Sequence, residues 1–108
     1  MPLTRSFKEF VKSRIERDAK FRQALFQEAV QALIEGDVDT AKSVLRDYIN
    51  ATIGFPALAK ATKMPPKSLM RMLGPKGNPT AVNLLGVIAA LQAKTGVHIE
   101  VRAVPDAA

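Results

Sequence analysis

The sequence predicts an all-α domain with a short β-strand at its C-terminal end. Three observations lead there. Apolar residues recur every three or four positions through most of residues 6–95, the period of a helix with one buried face. These runs are bracketed by residues that start and stop helices: Asp18, Asp37, Asp39 and Thr80 before them, Gly36, Gly54, Gly74 and Gly96 after them. Residues 97–104 alternate instead at the period of a strand. The chain of 108 residues is long enough for one compact domain with a real core.

In chain order, residues 6–17 place Phe7, Phe10, Val11 and Ile15 on one helical face and Lys8, Lys12, Arg14 and Glu16 on the other. Asp18 can cap the next helix, residues 19–35. Its pairs Leu25/Phe26, Ala29/Val30 and Leu33/Ile34 repeat every four residues and form a wide stripe, and Gly36 closes it. Asp37 or Asp39 caps a third helix, with Val38, Ala41, Leu45, Tyr48, Ile49 and Thr52 on one side. This helix ends near Gly54. Pro56 suits the first turn of a short fourth helix, where its missing N–H is no loss. Pro65 and Pro66 end that segment and start a fifth helix, which stops at Gly74 and Pro75. Residues 76–79 form a loop. Thr80 caps a sixth helix reaching about Thr95, with Leu84, Leu85, Ile88 and Leu91 inward, and Gly96 ends it. The strand at 97–104 needs a partner. That partner is the same strand of a second copy, a strand of another protein, or else the segment packs as an extended tail on its own domain.

The formal charge is +6, and its placement carries more information than its size. Between Asp47 and Glu100 there is no acidic residue, while Lys60, Lys63, Lys67, Arg71, Lys76 and Lys94 all fall in that stretch. A solvated surface normally mixes both signs. A long acid-free stretch is the footprint of a face that meets phosphates. Enzymatic chemistry fails on inventory. The chain has one histidine, His98, and no cysteine. It shows no cluster with metal-ligand spacing, so no cofactor is expected. The GPKGNP segment at 74–79 lacks the phosphate-loop spacing and follows a helix, not a strand. No secretory signal and no apolar run near ~20 residues is visible, so a cytoplasmic protein without membrane contact is expected.

Residues 54–73 carry the functional argument. They read as two short helices joined by a tight turn. Leu58, Ala59, Met64, Leu69 and Met72 hold the pair together, and Ala59 is small enough for close approach. This is the layout of a helix-turn-helix, whose second helix enters the DNA major groove. Pro66, Lys67, Ser68, Met70 and Arg71 then face base edges, with Arg71 suited to bidentate bonding of guanine. Lys60, Thr62 and Lys63, with Lys76 and Asn78 of the following loop, hold the phosphate backbone. Such turns often use glycine as their left-handed residue. Lys63 stands there instead, so either the lysine takes a costly backbone conformation or Pro65 shapes a different turn.

The segments DYINATIGF (47–55), PKSLMRML (66–73) and GNPT (77–80) resemble the addiction-module antidote proteins, small bacterial and prophage antitoxins. The similarity extends to FKEFVKSRIERD at the start and HIEV near the end. The resemblance implies a five-helix, lambda-repressor-like DNA-binding domain with Lys67, Ser68 and Arg71 in the recognition position. It also implies a partner toxin, often an mRNA interferase of the RelE superfamily, and repression of the module's own operon. On this reading residues 1–36 are an N-terminal helical extension, 37–96 the helix-turn-helix domain, and 97–108 a C-terminal strand and tail. The expected assembly is a homodimer on a palindromic operator. Two alternatives belong beside it. One is a prophage-type regulator without a toxin. The other is a toxin-binding interaction protein whose helix-turn-helix is only structural, the mixed charge of residues 6–35 suiting a protein surface.

Overall fold

The computed structural model describes residues 9, 10, 13, 14 and 16–106. Among them five helices follow one another: α1 (Ala19–Ile34), α2 (Val38–Ala51), α3 (Gly54–Thr62), α4 (Pro66–Met72) and α5 (Ala81–Thr95). The described residues before Asp18 are also helical, and Phe10 among them is exposed. Phe7, Val11 and Ile15 lie outside the described residues.

Each helix starts and stops for a local reason. The carboxylate of Asp18 accepts from the backbone N–H groups of Lys20 and Phe21, both at 3.1 Å. These bonds, the one from Phe21 foremost, hold its pKa below the usual carboxylate range, and Arg14 beside it adds to the effect. Asp37, not Asp39, caps α2 by accepting from the Thr40 N–H at 3.2 Å. Thr80 does the same for α5 through Asn83 at 3.1 Å. Gly36 takes φ +89° after α1, and the Asp37 N–H then reaches back to the Ala32 carbonyl at 2.8 Å.

One buried cluster joins all five helices: Phe26, Ala29 and Val30 from α1, Leu45, Tyr48 and Ile49 from α2, Phe55, Leu58 and Ala59 from α3, Leu69 and Met72 from α4, and Leu84, Val87, Ile88 and Leu91 from α5. α1 packs on α2, and α3 packs on α2, α4 and α5. The rings of Phe26 and Tyr48 stack with centroids 4.7 Å apart. The Tyr48 hydroxyl donates to Thr95 Oγ1 at 3.1 Å, and that hydroxyl donates onward to the Leu91 carbonyl at 2.7 Å. No buried side-chain nitrogen or oxygen among the described residues is left without a partner. A boundary at residue 36 would therefore part Phe26 from Tyr48, which share one core.

Four expectations are corrected. Ile34, Val38 and Leu85 are exposed, and Val87 takes the inward place on α5. α5 is apolar almost all round, so periodicity alone does not tell its inner side from its outer. The segment after Gly96 is not a strand. It is extended, and Val97 and Ile99 pack against the core, but among the described residues no neighbouring segment supplies a ladder. The Ile99 N–H donates to a side chain, Gln92 Oε1, at 2.8 Å.

Candidate nucleic-acid interface

The site is built on the α3–α4 pair. Its connection is only Lys63, Met64 and Pro65. So short a turn demands a reversal of the chain, and Lys63 provides it at φ 60°, ψ 31°, the left-handed region. Among the described residues it is the one non-glycine residue with positive φ. The reversal lets the Met64 N–H bond back to the Ala59 carbonyl at 3.2 Å, closing α3 as Gly36 closes α1. Of the two turn geometries open from the sequence, the costly one is present. Pro65 then sits extended, and Pro66 starts α4 where no N–H is needed.

α4 has two unlike faces. Leu69 and Met72 are buried against the core. Pro66, Lys67, Met70 and Arg71 are exposed, and Ser68 is half-buried. Lys67, Met70 and Arg71 stand at i, i+3 and i+4, so they share one face of the helix. Met70 is 53% exposed between the two cations. Lys60, Lys63, Lys76 and Asn78 are exposed as well. Thr62 is half-buried, and its hydroxyl proton goes to the Leu58 carbonyl at 2.9 Å. A phosphate oxygen needs a donor, so Thr62 is the weakest member of the predicted set.

Sequence reasoning missed the residues that fix α4 from behind. Lys42 of α2 is only 3% exposed, and its Nζ donates to the Gly77 carbonyl at 2.8 Å, with Asp39 at 3.5 Å. Arg46, one turn further along α2, donates to the Leu73 carbonyl. Two cations thus hold the C-terminal end of α4 and the loop behind it, where the helix dipole favours positive charge. The loop folds tightly over that end: a Cβ on Gly77 would overlap the carbonyl oxygens of Met72 and Arg71. A signal was present in the sequence, since Lys42 and Arg46 directly follow Ala41 and Leu45 of the apolar stripe. A stripe read as polar-out hides such inward cations.

The predicted set offers cations, the Asn78 amide and the Ser68 hydroxyl, spread over α3, α4 and the loop after it. It offers no paired acid and base. Among the described residues no three His, Asp or Glu side chains stand where they could hold a metal ion. No described helix is long and apolar enough to cross a membrane. Compared with known proteins, the chain matches no family profile, no curated protein and no solved structure. The resemblance to antidote proteins therefore rests on the quoted segments alone.

Proposed function

We propose that this chain is a sequence-specific DNA-binding protein that serves as the antitoxin and self-repressor of a toxin–antitoxin module. α3 and α4 act as the helix-turn-helix of a lambda-repressor-like domain, and α4 lies in the major groove. Arg71 and Lys67 read base edges, with Ser68 and Met70 beside them, while Lys60, Lys63, Lys76 and Asn78 hold the phosphates. Two copies bind two half-sites about 34 Å apart on a palindromic operator. The toxin, of the RelE superfamily on the family resemblance, is bound by the same cytoplasmic protein.

One observation carries the DNA reading. α4 buries Leu69 and Met72 and turns outward a face of Lys67, Met70 and Arg71 inside a stretch without a single acid from residue 48 to residue 99. The test is a titration of the full chain against a labelled duplex of its own upstream DNA and a shuffled duplex of equal length, across several salt concentrations. Preference for the upstream duplex and a steep loss of affinity with salt are expected. Equal affinity for both duplexes sinks the reading. The antitoxin part has its own test. The neighbouring reading frame, expressed alone, should arrest growth, and this chain should relieve the arrest.

A further inference from the structure

The extended segment after α5 ends in a register mark. Residues 97–106 carry no backbone ladder, yet Val97 and Ile99 pin the segment to the core. Beyond Ile99 it leaves α1 across a groove of about 590 Å³, walled by Gln27, Val30, Gln31 and Ile34 on one side and by Val101 and Val104 on the other. Ile34, Val101 and Val104 are 59%, 72% and 68% exposed, which is high for three aliphatic side chains around one groove. No described residue from 100 to 106 belongs to a backbone ladder, and the glutamine amides of the groove wall can meet a further strand.

We propose that the occupant is the same segment of a second copy, paired antiparallel about a two-fold axis through Val101. Among centres at residues 100, 101 and 102, charge complementarity between two copies selects the register. In an antiparallel two-fold pair, residues equidistant from the centre stand opposite each other on one face. A centre at residue 100 opposes Glu100 to itself, and a centre at 102 opposes Arg102 to itself. A centre at Val101 places Glu100 opposite the second copy's Arg102, twice over, and Val101 opposite Val101. The pairing ends at Pro105, which has no N–H to give to a ladder. The same ribbon covers the mouth of the groove and the exposed Ile34, Val101 and Val104 beside it. It supplies the dimer that an operator-binding protein needs, but it requires no DNA, so its failure leaves the DNA reading standing.

The test uses the full chain without DNA, by sedimentation equilibrium and by cross-linking. The native chain is expected to be a dimer. Glu100→Arg and Arg102→Glu each set like charges opposite one another and should weaken the dimer by about ten-fold or more. Combining them restores opposite pairs and should restore the dimer. Since the chain has no cysteine, Val101→Cys should give a disulfide-linked dimer on mild oxidation, whereas Ala103→Cys should not, its copies lying about four residues apart along the ribbon. Three results overturn the proposal: a native monomer throughout the concentration range of the DNA titration, a charge swap that fails to rescue, or a dimer that ignores both charge variants but breaks with Leu85→Glu on the exposed face of α5.

Discussion

Replacing Lys63 separates two effects that the turn combines. A non-glycine residue in the left-handed region carries a steric cost of roughly 1–2 kcal/mol. Lys63 sits in that region because the Met64 N–H must reach the Ala59 carbonyl. Lys63→Gly removes the cost, while glycine's greater freedom in the unfolded chain returns roughly 0.4–1 kcal/mol of it. A net gain of about 0.5–1 kcal/mol follows, and a rise in Tm of about 2–6 °C for a domain of this size. Lys63→Ala keeps the steric cost and removes only the charge, so it should gain nothing. Gly36 provides the mirror test. It makes the same closure at the end of α1 and has open space where a Cβ would stand. Gly36→Ala should therefore lose about 1 kcal/mol for backbone reasons alone. The assay is urea unfolding of the four proteins with the slope unchanged. In DNA titrations both Lys63 variants should lose affinity equally and reduce the salt slope by about one counterion. If Lys63→Gly proves no more stable than Lys63→Ala, the turn is not strained as described and the reasoning fails.

Further outcomes follow from the same geometry. Arg71→Ala should cost roughly 1–3 kcal/mol in binding and relax base preference, whereas Lys76→Ala should weaken all duplexes alike; competition titrations with point-changed operators distinguish the two. Lys42→Met, which keeps the stem and removes the ammonium, leaves the Gly77 carbonyl unpaired and should destabilise by about 1–3 kcal/mol in urea unfolding. Gly77→Ala forces the loop off the end of α4 and should destabilise by a similar ~1–3 kcal/mol, with chemical-shift changes concentrated in residues 71–78. Because the Asp18 pKa is lower in the folded chain, its contribution is fully present above the unfolded value near ~4 and is lost as pH falls through the lower folded value. Helicity at the start of α1 should fade in that acidic window, and Asp18→Ala should remove the pH dependence; amide exchange at Lys20 and Phe21 reports both.

Where a residue's role is set within one turn of chain, the sequence was legible. Asp18, Thr80, Gly36 and Gly96 do what their chemistry predicts, because capping needs only neighbours. The wedge of Leu58, Ala59, Leu69 and Met72 was legible for the same reason. Roles that depend on distant partners were not. Lys42 and Arg46 turn inward because carbonyls 35 and 27 residues away need donors. Residues 97–104 alternate like a strand, but alternation creates no ladder without a second strand. Leu85 and Val87 changed places because an apolar surround gives a helix no unique inner face.

The stacked ring at the junction of α1, α2 and α5 has a spectroscopic consequence. Tyr48 is the chain's single tyrosine, and there is no tryptophan. Its emission therefore comes from one fully buried site. That site touches Phe26, and its hydroxyl is tied to Thr95, so the signal changes when any of the three helices departs. Neither its stacking partner nor its hydrogen-bond partner is among the proposed base-reading or phosphate-holding residues. The molecule thus carries one intrinsic fluorophore that reports on the integrity of its core and leaves the outward face of α4 free for an extrinsic label. Unfolding and binding can then be followed separately in the same cuvette.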